Sequence, residues 1–348
     1  MTTQIGTHAK SLSPLPSSVT EAAATLARHA HNPSAFLALN AETERFSVPG
    51  IDGLIAYRPA GSRHLVQLGG VFADDADVDR LLEAFLAYAR GERRRVVAVQ
   101  LLAGDTARYA AHGFRVEQLG SSYAVSLENF SLGGKHFVSL RNKISRARRS
   151  GVVVAEVDVD VESSPDLARR VDAVDATWLR SKGAHVKELA FMVGERGGPA
   201  EPLRRLFVAR QGEQVLGYIS FSPAYGRESG WLHDLSRRDP QAPPGTTELL
   251  VVTAVERFRE EGARWLHFGL TPFTGLADDH VVAGAGSPTA RRAVRALAEH
   301  GRRIYPAADQ LAYKQKWAPS LVQPEYVAFS GRVTLGAVWA LLRLTRAA

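Results

Sequence analysis

The sequence predicts an α/β (α+β) protein with mixed sheets, organised as two successive modules of the same plan. Its 348 residues are 45% hydrophobic and 23% charged, which is typical of a globular chain that buries a sizeable core. Short β-like runs alternate with helical stripes, and each half shows the order helix, antiparallel meander, helix, strand, helix, closing strand. A strand–helix–strand unit after a meander produces a mixed sheet in which two neighbouring strands separate at one end.

The first module is predicted over residues 21–130, after a disordered leader at 1–20 that is rich in Ser, Thr and Pro. Residues 21–29 are Ala-rich without a helix breaker, and residues 78–89 carry an apolar stripe at helical spacing. Pro and Gly turns bound the β-like runs. The other predicted elements are strands at 45–48, 53–58, 64–68, 96–101, 114–118 and 123–127 and a helix at 105–112.

A basic connector helix is predicted over residues 131–151. Six cations and no acid occur between positions 135 and 149, which suits an RNA or phospholipid footprint and equally suits the solvated face of a domain-linking helix. Apolar residues at 138, 140 and 144 give this helix a packing side. The cations are Lys135, Arg141, Lys143, Arg146, Arg148 and Arg149.

The second module is predicted over residues 152–330. An alternating run at 152–161 indicates a strand, and residues 166–180 follow helical spacing. Turn residues at 211–213 and 223–226 separate the strands of a meander. The remaining elements are strands at 206–209, 215–221, 230–235, 265–270 and 326–329 and helices at 246–261 and 289–299.

Composition and missing motifs exclude several classes of function. The absence of cysteine excludes disulfides, thiolate metal sites, iron–sulfur clusters and cysteine nucleophiles. Eleven scattered histidines without ligand spacing predict no metal site, and the serine-hydrolase elbow, the P-loop and the zinc-protease helix are missing. No secretory signal or transmembrane run is found. The net charge of +7 suits an anionic partner as well as an ordinary solvated surface.

Polar side chains follow the apolar strand that begins at residue 230. His233, Asp234, Arg237 and Arg238 lie where the sheet is expected to open, and strand alternation places His233 and Asp234 on opposite faces. The next helix begins at residue 245 or 246, so its free N–H groups face the same region. An acid beside a cation suits a substrate with an ammonium and a carbonyl or phosphate group. A structural ion pair between Asp234 and Arg237 is the alternative, and Glu248 is either a capping residue or a site residue.

A second cluster lies between residues 305 and 319. Lys314 and Lys316 alternate with Tyr313 and Trp317, so both lysines point the same way if the segment is extended. Aromatic rings can wall a cavity while the ammonium groups meet an anionic head group. The alternative is a solvated lysine pair beside two core aromatics.

Two resemblances follow from these motifs. Residues 109–115 and 123–127 resemble the closing helix, Gly-Phe turn and last strand of the GNAT-type acyltransferase fold. Over about residues 31 to 329, the chain resembles the C-terminal aminoacyltransferase domain of bacterial phosphatidylglycerol lysyltransferases, the multiple peptide resistance factor family, in a stand-alone soluble form. The matching stretches, in order, are residues 120–135, 140–151, 233–237, 244–249, 269–272 and 313–319.

The second resemblance implies two tandem GNAT-type domains. It also implies transfer of an aminoacyl group from aminoacyl-tRNA to a hydroxyl of a membrane lipid such as phosphatidylglycerol, without a cofactor. By position, the catalytic candidates are Asp234, Arg237 and Lys316. The substrate-binding candidates are Lys314, Glu248, His233, Tyr313 and Arg238, and the candidates for tRNA or phosphate contact are Arg141, Arg146 and Arg149.

A mechanism follows as a hypothesis. Asp234 holds the α-ammonium of the aminoacyl ester, Arg237 anchors the ester or a phosphate, and the acceptor oxygen attacks the ester carbonyl. These groups and the 313–317 segment are expected to converge on one cavity. His233 is either a general base or, on strand parity, a neutral packed residue.

Three other functions stay open. The first is tRNA-dependent aminoacylation of a soluble natural product or peptide, which the unusual His233 and Ser236 in the strand motif favour. The second is an acyl-coenzyme A-dependent N-acyltransferase, although residues 237–247 hold one glycine where the pyrophosphate loop of such enzymes needs more. The third is a non-catalytic RNA-binding module, supported by the connector charges alone.

Residues 331–348 are predicted to form a C-terminal amphipathic helix. Leu335, Val338, Trp339 and Leu342 follow the spacing of one helix face, and arginines flank them. Such a helix either lies on an anionic membrane surface or docks on the protein core. The expected location is therefore the cytoplasm, with peripheral contact to the inner face of the cell membrane left open.

Overall fold

A computed structural model describes residues 18–182, 191–300 and 307–344. Residues 1–17 of the predicted leader and 345–348 of the predicted terminal helix lie outside the described residues. The helices are α1 (Val19–His29), α2 (Val78–Gly91), α3 (Ala103–Ala111), α4 (Val138–Arg149), α5 (Pro165–Lys182), α6 (Thr246–Glu260), α7 (Pro288–His300), α8 (Ala307–Gln315) and α9 (Leu335–Leu344). The strands are β1 (Glu44–Phe46), β2 (Gly53–Ala60), β3 (His64–Ala73), β4 (Arg95–Leu101), β5 (Phe114–Ser126), β6 (Val153–Glu156), β7 (Arg205–Gln211), β8 (Gln214–Ala224), β9 (Gly230–Arg238), β10 (Trp265–Pro272) and β11 (Leu321–Ser330).

All the described strands join one mixed sheet, so the predicted α/β class is confirmed. The spatial order is β1-β2-β3-β4-β11-β5-β10-β9-β8-β7-β6. Each half contributes an antiparallel meander followed by a parallel strand, β4 beside β3 and β10 beside β9. This arrangement repeats the tandem GNAT-type plan that the element order predicts.

The closing strands of the two halves are exchanged. β11, from the end of the chain, lies between β4 and β5 and runs antiparallel to both. β5, from the first half, lies between β11 and β10. The sheet therefore continues across the predicted boundary between the modules. The module limits at residues 130 and 152 remain a prediction from the sequence.

Each parallel pair of strands separates at one end. β3 and β4 are paired only as far as Leu68 and Val99, and β9 and β10 only as far as Leu232 and His267. Beyond that point β10 bulges around Gly269, whose φ of 67° lies in the left-handed region that favours glycine. The predicted opening is thus present in both halves.

Helices α4 and α6 cover one face of the second half, and α5 packs on the opposite face. Ile144, Leu250 and Phe258 belong to one buried cluster, whereas Val171 and Leu235 belong to another. Gly245 lets α4 and α6 meet closely, because a Cβ atom at this position would lie 2.0 Å from the carbonyl oxygen of Lys143. This contact brings the connector helix to the start of α6.

Among the residues that the structure describes, no helix is both long and apolar enough to span a bilayer.

Candidate active site

An open cleft of about 550 Å³ lies where β9 ends and α6 begins. Its walls come from α4, α5, the end of β9 and the loop that follows it, the first turn of α6, and the end of α8 with the residue just after it. The first turn of α6 contributes free backbone N–H groups and the positive end of a helix dipole. The lining residues are Lys143, Trp178, Ser181, Ser236, Arg237, Arg238, Pro240, Pro244, Gly245, Thr247, Glu248, Tyr313 and Lys316.

The charge of this lining is predominantly positive. Lys143, Arg237, Arg238 and Lys316 are its cations, and Glu248 is the one carboxylate among the described residues that line it. A concave surface of one sign attracts a ligand of the opposite charge. The cleft is therefore built for an anionic group, and phosphate suits both the arginines and the helix start.

The two arginines of β9 are held by their neighbours. The guanidinium of Arg237 stacks 4.1 Å from the ring centroid of Trp178, and its Nη1 donates to the carbonyl of Ser236 at 3.0 Å. Asp175 lies 3.9 Å from Arg237 Nε. Arg238 Nη1 donates to the carbonyl of Ala242 at 3.0 Å. These contacts fix both guanidinium groups at the cleft wall.

Lys316 and Glu248 form the ion pair at the floor of the cleft. Lys316 Nζ lies 2.8 Å from Glu248 Oε1 and 4.0 Å from the ring centroid of Tyr313, and Lys143 Nζ lies 3.8 Å from the same carboxylate oxygen. Burial lowers the pKa of Lys316, although Glu248 opposes that shift. Burial also raises the pKa of Glu248, but Lys316 outweighs burial and holds this pKa below its usual value. Glu248 is therefore ionised at neutral pH.

Lys314 does not join Lys316, so the prediction that the two lysines point the same way is wrong. Helix α8 continues through Gln315, and the chain then turns, which separates the two side chains. Lys314 is buried, and its Nζ donates to the carbonyls of Gly269 at 2.7 Å and Leu270 at 3.1 Å. Burial lowers the pKa of Lys314 to about 7. This lysine therefore braces the bulge of β10 behind the cleft.

His233 is packed in the core rather than exposed in the cleft. Its ring contacts those of Phe221, Phe268 and Tyr313, with centroid separations of 5.8, 6.0 and 5.9 Å. Burial, aided by the charges of Lys314 and Lys316, lowers the pKa of His233 to about 3. The imidazole is neutral at physiological pH, as strand parity suggested, and it does not line the cleft.

Asp234 is buried against the first half of the molecule and does not line the cleft. Its Oδ2 lies 3.1 Å from Arg204 Nε, and both side chains are 1% exposed. Arg204 Nη2 in turn donates to Asn40 Oδ1 at 2.8 Å. Burial raises the pKa of Asp234 to about 6, with Arg204 opposing the shift.

Two expectations about Asp234 are therefore wrong. It does not converge with Arg237 and Lys316 on one cavity, and its ion-pair partner is Arg204 rather than Arg237. The reason is a bulge opposite Ser220 and Phe221, which breaks the alternation of side chains along β9. Beyond the bulge, Leu235 packs in the cluster on the α5 face, away from His233.

The predicted phosphate-contact arginines, Arg141, Arg146 and Arg149, lie on α4, and none of them lines the cleft. Arg146 and Arg149 are exposed. Arg141 instead donates to the backbone carbonyls of Leu132 and Gly134, which ties down the turn before α4. Lys143, on the same helix, reaches the cleft. Arg146 lies one helical turn beyond Lys143, so these two cations are neighbours on α4.

Sequence reasoning missed three residues of this region. Arg204 and Trp178 gave no local signal, because each meets its partner across a long stretch of chain. Lys143 was visible as a connector cation, but its approach to Glu248 depends on the glycine contact between α4 and α6.

Comparisons with known proteins identify relatives of the whole fold. The family described as phosphatidylglycerol lysyltransferase, C-terminal, matches residues 23–329. The fold superposes on the structure of L-PGS from Bacillus licheniformis with a TM-score of 0.75, 21% identity and 99% coverage of both chains. It also superposes on a C-terminal domain attributed to a lysylphosphatidylglycerol synthetase of Agrobacterium fabrum, with a TM-score of 0.72, 23% identity, and coverage of 94% of this chain and 95% of that one.

Curated relatives are longer than this chain. The lysylphosphatidylglycerol biosynthesis bifunctional protein LysX of Mycolicibacterium gilvum is 32% identical over 180 residues, which cover 51% of this chain and 16% of that protein. The LysX protein of Mycolicibacterium vanbaalenii is 30% identical over 179 residues, with the same two coverages. The match to the family extends over most of the chain and confirms the resemblance found in the sequence. The chain belongs to the phosphatidylglycerol lysyltransferase C-terminal family, a family of aminoacyltransferases.

Proposed function

We propose that this protein transfers an aminoacyl group from an aminoacyl-tRNA to a hydroxyl group of a membrane lipid such as phosphatidylglycerol. The observation that carries the proposal is the cationic cleft at the start of α6, because both the donor and the acceptor bring a phosphodiester close to the reacting ester or hydroxyl. Family membership supplies the reaction class.

The chemistry requires positioning more than a strong nucleophile. The lipid oxygen forms a bond to the ester carbonyl carbon, the bond from that carbon to the ribose oxygen breaks, and the proton of the lipid hydroxyl ends on the ribose oxygen. One ester replaces another, so the reaction is nearly isoenergetic and oriented binding can supply much of the rate enhancement. In the cleft, Arg237 and Arg238 would bind the phosphate, and Lys316 would stabilise the developing oxyanion.

The donor RNA would lie along α4. Arg146 and Arg149 are exposed on this helix, and Lys143 connects it with the cleft. Contacts to a phosphate backbone from such a helix are independent of nucleotide sequence. The RNA 3′ end would thereby reach Lys316.

The acceptor lipid would be approached through α9. Ala337 and Ala340 bury one side of this helix, whereas Leu335 and Trp339 are 90% and 55% exposed. Arg332 and Arg343 are exposed beside them. An outer face of leucine, tryptophan and arginine suits the surface of an anionic bilayer. Val338, expected on the same stripe, packs on the core instead.

The test is a transfer assay with a panel of donors and acceptors. The full chain is incubated with radiolabelled aminoacyl-tRNAs and with vesicles that contain phosphatidylglycerol, and the products are separated by chromatography. The proposal predicts a labelled lipid that depends on tRNA and on phosphatidylglycerol. Label in a soluble product alone would support a soluble acceptor, and acyl transfer from a coenzyme A thioester without RNA would overturn the proposal.

A further inference from the structure

Glu325 is a buried carboxylate that the proposed reaction leaves unused. It lies on β11, at the irregularity where this exchanged strand passes β5, and it is 0% exposed. Neither of its carboxylate oxygens has a hydrogen-bond donor at good geometry among the described residues. Burial raises its pKa to about 7, while weak hydrogen bonding from Ser122 and Gln100 and the charge of Lys314 oppose the shift, so these three side chains are near neighbours.

The side chains around Glu325 direct their closest hydrogen bonds to other acceptors; Ser122 Oγ, for example, donates to the carbonyl of Gln323 at 3.5 Å. Gln100 is 1% exposed, and its Nε2 donates to Ser34 Oγ at 3.3 Å, whereas its Oε1 has no partner among the described residues. Its backbone is also held at a φ of 54°, a conformation that is costly for a residue other than glycine. Lys314 directs its ammonium to the carbonyls of Gly269 and Leu270.

Buried acceptors without donors are costly, so such a cluster indicates a missing partner rich in N–H or O–H groups. One carboxylate with neutral oxygens around it suits a primary ammonium, which has three donors and one positive charge. A multivalent metal would need more anionic ligands, and among the described residues no three acidic or histidine side chains group for that purpose.

The location of the cluster connects it with the cleft. Tyr313 lines the cleft, and the next residue, Lys314, lies close enough to Glu325 for its charge to act on that carboxyl group. Strand β10, which is no longer paired with β9 beyond His267, supplies the two carbonyls that hold Lys314. Asp234 is not available for the same role, because Arg204 occupies its carboxylate.

We propose that Glu325, with Gln100 and Ser122, binds the ammonium group of the aminoacyl chain while the phosphate of the same substrate lies in the cationic cleft. The inference rests on the proposed function, because it assigns the recognition of the transferred amino acid. Glu325 is on this account a substrate-binding residue.

The experiment measures binding of small ammonium probes to the full chain by calorimetry. Lysine amide and alanine amide both carry an α-ammonium, and Nα-acetyl-lysine amide carries only the side-chain ammonium. We expect Glu325→Gln to weaken binding of the recognised amide at least tenfold, and Ser122→Ala to weaken it less. If Nα-acetyl-lysine amide does not bind, the group recognised at Glu325 is the α-ammonium. If lysine amide binds and alanine amide does not, the group recognised is the side-chain ammonium. Glu83→Gln, on the exposed face of α2, is the matched control.

Equal affinity of the wild type and Glu325→Gln for all three amides, or no binding by the wild type, would overturn the inference and mean that the cluster holds water only. Glu325→Gln is expected to fold, because it removes a charge that has no donor, and Ser122→Ala gives the same comparison if it does not. Binding that depends on Glu325 without any aminoacyl transfer would overturn the proposed function alone. Transfer with an unchanged KM for the donor in Glu325→Gln would overturn this inference alone.

Discussion

Asp234 and Arg204 form a buried ion pair in the second half that also contacts the first half through Asn40. Arg204 bridges Asp234 of the second half and Asn40 of the first, and its guanidinium lies 5.0 Å from the ring centroid of Phe36. Such a pair costs desolvation energy when it forms, but removing one partner leaves an uncompensated buried charge. The family motif around Asp234 therefore has a structural role in addition to any role in catalysis.

The first prediction concerns this pair. Asp234→Ala should lower the free energy of unfolding by about 3–5 kcal/mol, because Arg204 stays buried without its hydrogen-bonded anion and keeps only the more distant Glu201 at 3.8 Å. The double variant Arg204→Met/Asp234→Leu should recover most of the loss. Urea denaturation measures both, and Asp166→Ala, in an exposed ion pair, should cost less than about 1 kcal/mol. An Asp234→Ala protein as stable as the wild type would show that the pair does not hold the halves together.

The second prediction concerns the pH dependence of stability. Burial lowers the pKa of His233 from 6.5 to about 3, so between these values the unfolded state binds one more proton than the folded state. Stability should therefore fall as the pH falls from 6.5 towards 3, and this group contributes a slope of up to about 1.4 kcal/mol per pH unit. His233→Asn should flatten the profile over that window in chemical denaturation. Parallel profiles would mean that the imidazole is solvated.

At the scale of single elements, α4 and α9 present the surfaces that we propose for RNA and lipid. Both helices bury one side and expose arginine on the other. Their exposed residues can be changed with little effect on packing, so each helix can be tested without disturbing the cleft.

For α4, Arg146→Gln/Arg149→Gln should weaken the binding of uncharged tRNA at low salt. The slope of log affinity against log salt should become shallower by about 1 to 2, because binding releases about one counterion fewer for each phosphate contact that is lost. Fluorescence titration at several salt concentrations measures the slope. The control variant Arg90→Gln/Arg95→Gln changes two exposed arginines outside α4 and should leave the salt slope unchanged. Equal slopes for both double variants would remove α4 from the RNA surface.

For α9, Leu335→Ser/Trp339→Ser should reduce flotation with vesicles that contain phosphatidylglycerol. The expected cause is the loss of apolar area at the bilayer surface. Val159→Ser/Leu203→Ser, at two other exposed apolar positions, is the matched control. Substitution is a cleaner test than truncation, since Ala337 and Ala340 pack on the core. Flotation unaffected by the α9 changes would contradict a membrane contact there.

The sequence predicted elements well where local periodicity decides them. Helices α2 and α6 occur within a few residues of their predicted bounds, because their apolar stripes follow a period of 3.6. The run at 152–161 was predicted as one strand, yet β6 ends at Glu156 and Asp158 takes a φ of 64°. Helix α8 was missed because the segment was treated as extended, and that error paired Lys314 with Lys316.

The site was predictable only in part, for a physical reason. Arg237, Arg238, Glu248, Tyr313 and Lys316 do share one cleft, as the family motifs implied. The position of Asp234 depends on a bulge and on a partner 30 residues away, neither of which leaves a pattern in the local sequence.

On the scale of the whole molecule, the exchange of closing strands makes the two halves interdependent. β11 pairs with β5 along its whole length, from Leu321 opposite Ala124 to Ser330 opposite Phe114. Pairing between residues so far apart in the chain cannot be inferred from local periodicity. It also carries Glu325 from the second half to the strand beside Gln100, so the proposed ammonium site needs both halves.

The central claim is that the cationic cleft at the start of α6 is where aminoacyl transfer takes place. Single-turnover transfer from labelled aminoacyl-tRNA to phosphatidylglycerol vesicles, compared between the wild type and Lys316→Gln, tests it most directly. We predict a rate at least about 100-fold lower in Lys316→Gln, the scale expected when one oxyanion donor is lost, at a temperature where both proteins are folded. An unchanged transfer rate in Lys316→Gln, or a wild-type protein that forms no aminoacyl lipid, would contradict the claim.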